Sequence, residues 1–365
     1  MGQQAERSTA APAARRALVE RLPVRAIILS VLSVALVVGA TLGTVATLSE
    51  GRLTGGAWRN LIVFGVAHGS IYTLIALGYS LVYGILRMIN FAHGEVFMAG
   101  AMGSYFVARP LDESGFLDRN PVLGIVILLL VSMAVSTLIA VLLERVAYRP
   151  LRNAPRLVPL ITAIGASLFL QNAFRGMFGA QNRGYAEFDA LRGTWTILGI
   201  PILRTQVLVI IAAVLVMVGL QLFIGRTGTG RAMRAAAEDK EIASLMGINV
   251  DRVIVITFAI GGMLAGVAGL LQALVAKQVG PFMGFVPGIK AFTAAVLGGI
   301  GSIAGAALGG LLLGLLEAVG PFLFLSGAGV PSPQQLQPVV AFGILVLVLI
   351  FRPGGILGSG EAEKV

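Results

Sequence analysis

Asn90, His93 and Glu95 stand close together at the start of an otherwise apolar run, Gly84–Gly100 (GILRMINFAHGEVFMAG), and a second acid, Glu317, interrupts the apolar stretch LLLGLLEAVG. An ionisable side chain at membrane depth costs at least about 2.5–3.5 kcal/mol on insertion scales, so such residues mark a pathway for substrate, ions or protons. The two carboxylates and the imidazole could serve as proton sites in a secondary transporter. They could equally lie at the interface, the first group beside Arg87 and Glu317 near the outer end of its helix. Other chemistry is sparse. The chain has no cysteine, hence no disulfide framework, thiolate metal site or thiol nucleophile. Its two histidines, His68 and His93, are too few for a histidine-rich metal site. An intramembrane enzyme would need metal-ligand spacing or a nucleophile elbow, and neither pattern occurs. The dipeptide Gly-Lys is absent, which rules out a P-loop. Gly299-Ile-Gly301-Ser-Ile-Ala304 fits a loose dinucleotide fingerprint, but it lies in an apolar stretch with no strand before it. The chain is therefore expected to bind neither metal nor nucleotide itself. If it moves solute at the expense of ATP, another chain must hydrolyse the ATP.

The elements that position these residues belong to a membrane protein. Of 365 residues, 57% are hydrophobic and only 12% charged, with a mean hydropathy of +0.91. A soluble chain of this length carries charge on about a quarter of its residues. Val24–Leu48, Leu61–Leu86, Val122–Leu143 and Val207–Ile224 approach or exceed the roughly 20 residues that cross a hydrocarbon core of about 30 Å. The expected fold is all-α, a polytopic membrane helix bundle of about 8–10 hydrophobic segments. The net charge of +10 fits basic loops on the cytoplasmic side better than nucleic-acid binding, since no basic stripe is interleaved with aromatics.

Charge also sets a topology. The first 23 residues, rich in Ala and Arg with Pro12 and Pro23, read as a disordered lead. Arg15, Arg16, Arg21 and Arg25 precede the first apolar run and place the N-terminus in the cytoplasm. At 25 residues that run, Val24–Leu48, is too long for the core of a cleaved signal peptide and reads as a retained helix. The loops Glu144–Arg156 and Arg226–Arg252 hold most of the remaining positive charge and are separated by two apolar runs, which permits both to be cytoplasmic. Residues 289–325 are too long for one untilted helix and are broken by glycines, which predicts a broken or re-entrant pair. Counting two segments there returns the tail to the cytoplasm.

The loop 226–252 is the longest polar, helix-prone stretch, and its composition predicts one helix over Arg231–Met246. Arg234 and Glu238 are spaced i,i+4, and Gly247 followed by Ile248 reads as a C-terminal cap. Ala232, Ala236, Ala243 and Met246 form a shallow face suited to a partner protein, because a membrane-surface helix would use Trp, Phe and Leu. Glycine occurs 48 times. Gly262 with Gly266, and the ladder Gly301, Gly305, Gly309, have the small-xxx-small spacing of closely packed membrane helices.

Four long stretches, Gly69–Ala101, Glu144–Asn172, Arg234–Gly262 and Gly288–Gly314, together resemble the permease subunits of branched-chain amino-acid ABC importers, specifically the LivH type. The likeness runs over roughly residues 55 to 365, including the closing Glu363-Lys364-Val365. It implies a permease domain over 57–365 with a cytoplasmic coupling loop at 226–252, in the bacterial cytoplasmic (inner) membrane with both termini inside. It further implies a second, related permease subunit, two cytoplasmic ATP-binding subunits that carry the ATP, and an extracytoplasmic substrate-binding protein. Arg234, Glu238, Asp239, Ala243, Gly247 and Ile248 would then form the element that couples to the ATPase, with Glu238, Ala243 and Gly247 at core positions of its motif. Members of this type begin near Trp58, so residues 1–56, with the hydrophobic helix 24–48, form an extension. Permeases for urea and short amides look similar, which leaves the substrate open.

Overall fold

The computed structural model describes residues 24–358 apart from 52, 153, 156, 198, 328 and 353. The lead Met1–Pro23 with Arg15, Arg16 and Arg21, the loop residue Arg156 and the closing Glu363-Lys364-Val365 lie outside the described residues.

Helices dominate. In chain order they are α1 (Val24–Ser49), α2 (Gly55–Leu86), α3 (His93–Glu113), the short α4 (Phe116–Arg119), α5 (Pro121–Leu143), α6 (Leu157–Phe178), α7 (Arg204–Arg226), α8 (Gly228–Glu238), α9 (Lys240–Leu245), α10 (Val250–Ala276), α11 (Phe285–Gly298), α12 (Ile303–Leu325) and α13 (Gln337–Phe351). Among the described residues seven helical segments are long and apolar enough to cross a membrane. Among the described residues strands are confined to two-residue β1 (Arg183–Gly184) pairing with β4 (Gln278–Val279), and the hairpin β2 (Thr194–Ile197) with β3 (Ile200–Leu203).

The described chain divides into two compact units. One joins α1 to residues 322–333, where the Gly327 amide donates to Thr47 Oγ1 at 2.7 Å. The other holds residues 53–321 and 334–365 and contains every candidate site residue.

Within this larger unit α2 and α10 are central. α2 starts at Thr54, whose hydroxyl accepts from the Ala57 amide, and stops where Arg87 turns left-handed at φ 57°. Nearly all of it from Gly65 onward is buried. α5 and α7 instead leave Leu130, Leu138, Leu215 and Leu222 exposed, the apolar surface a helix presents to lipid. Gly262 and Gly266 let α10 press on α5: a Cβ on Gly266 would stand 2.6 Å from the Ser132 carbonyl. Ser132 Oγ uses that closeness to donate to the Gly266 carbonyl at 2.7 Å. Gly305 and Gly309 pack α12 against α11 in the same way. Gly301 departs from the expected ladder: it precedes α12, and at φ 92° it turns the chain between α11 and α12.

The expected break within 289–325 is therefore four residues, 299–302, between α11 and α12. At 14 residues, α11 is about 21 Å long and cannot span a bilayer unaided. Its C-terminal carbonyls need donors. The Ile356 and Leu357 amides supply them, reaching Leu297 and Gly298 oxygens at 2.9 Å each.

Candidate functional site

Residues 87–92 are non-helical and deliver Glu95 to the first turn of α3. Asn90, His93 and Glu95 are all buried but do different things. Asn90 Oδ1 accepts from the Tyr148 hydroxyl at 2.7 Å, tying the loop to the irregular helical turn Glu144–Tyr148. His93 is fixed by packing, edge-on to Tyr79 with ring centres 4.8 Å apart and against the Gly78–Gly261 contact. Glu95 alone of the three reaches a cavity. Its Oε1 accepts from Gln171 Nε2 at 2.7 Å and Ser167 Oγ at 3.1 Å, both on α6. The partner suggested by sequence, Arg87, is exposed and is not the group that holds it. The cavity measures about 300 Å³ and is walled by α2, α3, α6, α11 and the loop residue Phe91.

Glu317, on α12, meets a partner that sequence reasoning missed. Lys290 of α11 pairs with its Oε1 while almost fully buried, and the Lys290 ammonium also stands 5.8 Å from the Tyr72 ring. The signal was present as the lone cation of an apolar run (GIKAFTAAV), but 27 residues separate it from Glu317 and only the fold makes them neighbours.

The loop between α7 and α10 also differs from expectation. The predicted single helix over 231–246 is two helices, because Asp239 leaves helical geometry and caps the second through Glu241 and Ile242 amides at 2.8 and 2.9 Å. Arg234 forms no i,i+4 pair with Glu238; its guanidinium donates to the Ile224 carbonyl, anchoring α8 to the end of α7. Of the expected face, Ala236 and Ala243 turn inward, Ala232 is half-buried and Met246 is exposed. The exposed apolar groups are Ile242, Leu245 and Met246, at 60%, 87% and 79% of full exposure. Gly247 ends α9 at φ 84°, and the Ile248 amide donates back to the Ala243 carbonyl at 3.0 Å, which closes a Schellman-type cap.

An ion network, buried at Glu144 and open to its surroundings at Arg149 and Asp251, braces this side of the molecule. Arg152 pairs with both Glu144 and Asp251, and Arg149 reaches Asp251 at 3.0 Å, which fastens the segment after α5 to the first turn of α10. Sequence reading saw only the positive charge here. Lys240 lies close enough that burial, then the Arg152 and Arg87 guanidinium groups, push its ammonium below the usual lysine range. Among the described residues no three side chains are grouped as metal ligands.

One family model and three relatives match the sequence. The family model for the permease component of branched-chain amino acid transport systems matches residues 61–349. The permease protein BraD of a high-affinity branched-chain amino acid transport system in Pseudomonas aeruginosa is 48% identical over 309 residues, covering 83% of this chain and 97% of its own. The corresponding LivH permease protein of Escherichia coli is 46% identical over 309 residues, covering 82% and 96%. That of Salmonella typhimurium is 45% identical over 311 residues, with the same coverage of 82% and 96%. By the extent of the family match and the near-complete alignment of these relatives, the chain belongs to the family of branched-chain amino acid transport system permease components.

Proposed function

We propose that this chain is the membrane-channel subunit of an ABC importer for branched-chain amino acids, driven by ATP hydrolysed on separate subunits. The names of its relatives supply the substrate class, and the missing Gly-Lys of a P-loop assigns ATP to a partner. In this reading the chain pairs with a second, related permease. Two ATP-binding subunits dock from the cytoplasm, and a substrate-binding protein delivers the amino acid from outside. The chain lies in the bacterial inner membrane with both termini in the cytoplasm, on the side of its basic loops. Its own contribution is pathway and coupling, with no covalent chemistry.

The observation that carries the coupling role is the exposed apolar group Ile242, Leu245 and Met246 on a short, firmly capped helix between two long apolar helices. Apolar side chains so exposed, on a rigid support beside basic residues, suit a protein partner rather than water. Arg234, Asp239, Ala243, Gly247 and Ile248 hold that surface in place, and exposed Glu238 flanks it. The test is leucine uptake by vesicles carrying the whole transporter with the double replacement Leu245→Asp and Met246→Asp. Uptake and co-purification of the ATPase subunits are expected to be lost while the permease stays in the membrane. Uptake at the unmodified rate would refute the coupling role.

A further inference from the structure

Glu95 is buried to 1% of full exposure, and its two oxygens are unequal. Oε1 holds Ser167 and Gln171, whereas Oε2 has no hydrogen-bond partner among the described residues. A buried carboxylate oxygen with nothing to accept from is costly, and a cation arriving beside it relieves that cost. Beside Glu95 lies the cavity of about 300 Å³, at the small end of the roughly 300–1,000 Å³ range of small-molecule sites. Its walls are otherwise mostly apolar, among them Ile164, Leu168, Phe285 and Ile289, and Leu168 and Phe285 are about half exposed at its edge.

A second feature enters the same space. The N-terminus of α11 lines the cavity at Gly284, Phe285 and Gly288, and no side chain caps it. First-turn amides of a helix have no intrahelical acceptor, and the helix end carries about half a positive charge. Glycines bring the two features together: a Cβ on Gly94 would sit 2.6 Å from the Gly284 oxygen, so the first turn of α3 touches the start of α11 backbone to backbone. One wall thus lacks a cation, a neighbouring wall lacks an anion, and the space beside them is apolar. Interrupted membrane helices present such ends to substrate carboxylates.

We propose that this cavity holds the amino acid in transit, with its ammonium on the Glu95 carboxylate, its carboxylate at the N-terminus of α11, and its branched side chain among Ile164, Leu168 and Ile289. The assignment rests on the import function proposed above. Ser167 and Gln171 are positioning residues, which fix the Glu95 carboxylate and leave one oxygen free.

The test uses the complete transporter in proteoliposomes, driven by ATP and supplied with leucine-loaded binding protein. Glu95→Gln keeps the shape and the bonds to α6 but removes the charge. It is expected to lower kcat for leucine uptake about tenfold or more, the range of a charge-assisted hydrogen bond. The KM for loaded binding protein should stay within about twofold, and Glu95→Asp should regain part of the loss. Uptake by Glu95→Gln at the unmodified rate overturns the proposal. So does uptake that merely loses its dependence on pH, which would make Glu95 a proton carrier. Should Glu95→Gln fail to assemble, Leu168→Trp fills the half-exposed edge of the cavity without touching Glu95 and is expected to block uptake; free passage there also overturns the proposal. Failure of the unmodified complex to import leucine with ATP would instead refute the import function itself.

Discussion

Glu95 and Glu317 are both acids buried in apolar helices, yet the fold treats them in opposite ways. Glu317 has a lysine, Lys290, supplied by the adjacent helix. Glu95 has only a hydroxyl and an amide on one oxygen, and a cavity beside it. A charge pair neutralised within the protein ties α11 to α12. Glu317 Oε2, like Glu95 Oε2, has no hydrogen-bond partner among the described residues, so the two acids differ in the lysine and the cavity and not in an orphaned oxygen. Burial and an orphaned oxygen are therefore common to both acids; the lysine partner of one and the cavity beside the other set them apart.

The comparison can be broken first at its structural side. Replacing Lys290 by Met strands Glu317 as an unpaired buried charge, and the expected loss is about 3–5 kcal/mol of stability. Thermal unfolding of the purified protein would read it, and the double replacement Lys290→Met with Glu317→Leu should regain most of the loss. Glu95→Gln sharpens the contrast, because Gln can still accept from Ser167 and Gln171. Its stability should change by less than about 1 kcal/mol, and a loss as large as that of Lys290→Met would make Glu95 a structural anchor instead.

A second Lys–Glu pair supplies the control in water. Lys277 meets Glu187 at 2.6 Å in the exposed region near β4, with Arg192 at 3.4 Å on the other oxygen. Hydrogen bonding from Lys277, against a smaller opposing effect of burial, holds the Glu187 carboxyl below the usual carboxylate range. A depressed folded value means stability that is present above the unfolded value, about 4.3, and lost as pH falls through the folded one. Between pH 7 and pH 3 the unmodified protein should lose slightly more thermal stability than Glu187→Gln. The difference should be the smallest of the three and should shrink with salt, because both partners are exposed.

Much of this was legible before folding. Run length and low charge fix a many-pass helical membrane protein, because no soluble core can bury such runs. The break after α11 was readable from its glycines, and the cap at Gly247 from the Gly-Ile pair. The division of 231–246 into two helices was not, because Asp239 sits in a helix-prone stretch while its side chain serves better as a cap. Ala236 and Ala243 of the expected alanine face turn inward for a related reason. A small residue packs inward against another helix as readily as it faces a partner, so only tertiary contact orients it.

The sequence by itself determined the class of the molecule, its long helices and the presence of acids where charge is expensive, since these follow from hydrophobic length and local chemistry. Which acid received a lysine, which came to border a cavity, and which apolar side chains of the loop remained exposed were settled only by the tertiary structure. Those outcomes depend on residues far apart in the chain, such as Lys290 with Glu317 and Glu95 with Gln171, and no local pattern encodes their meeting.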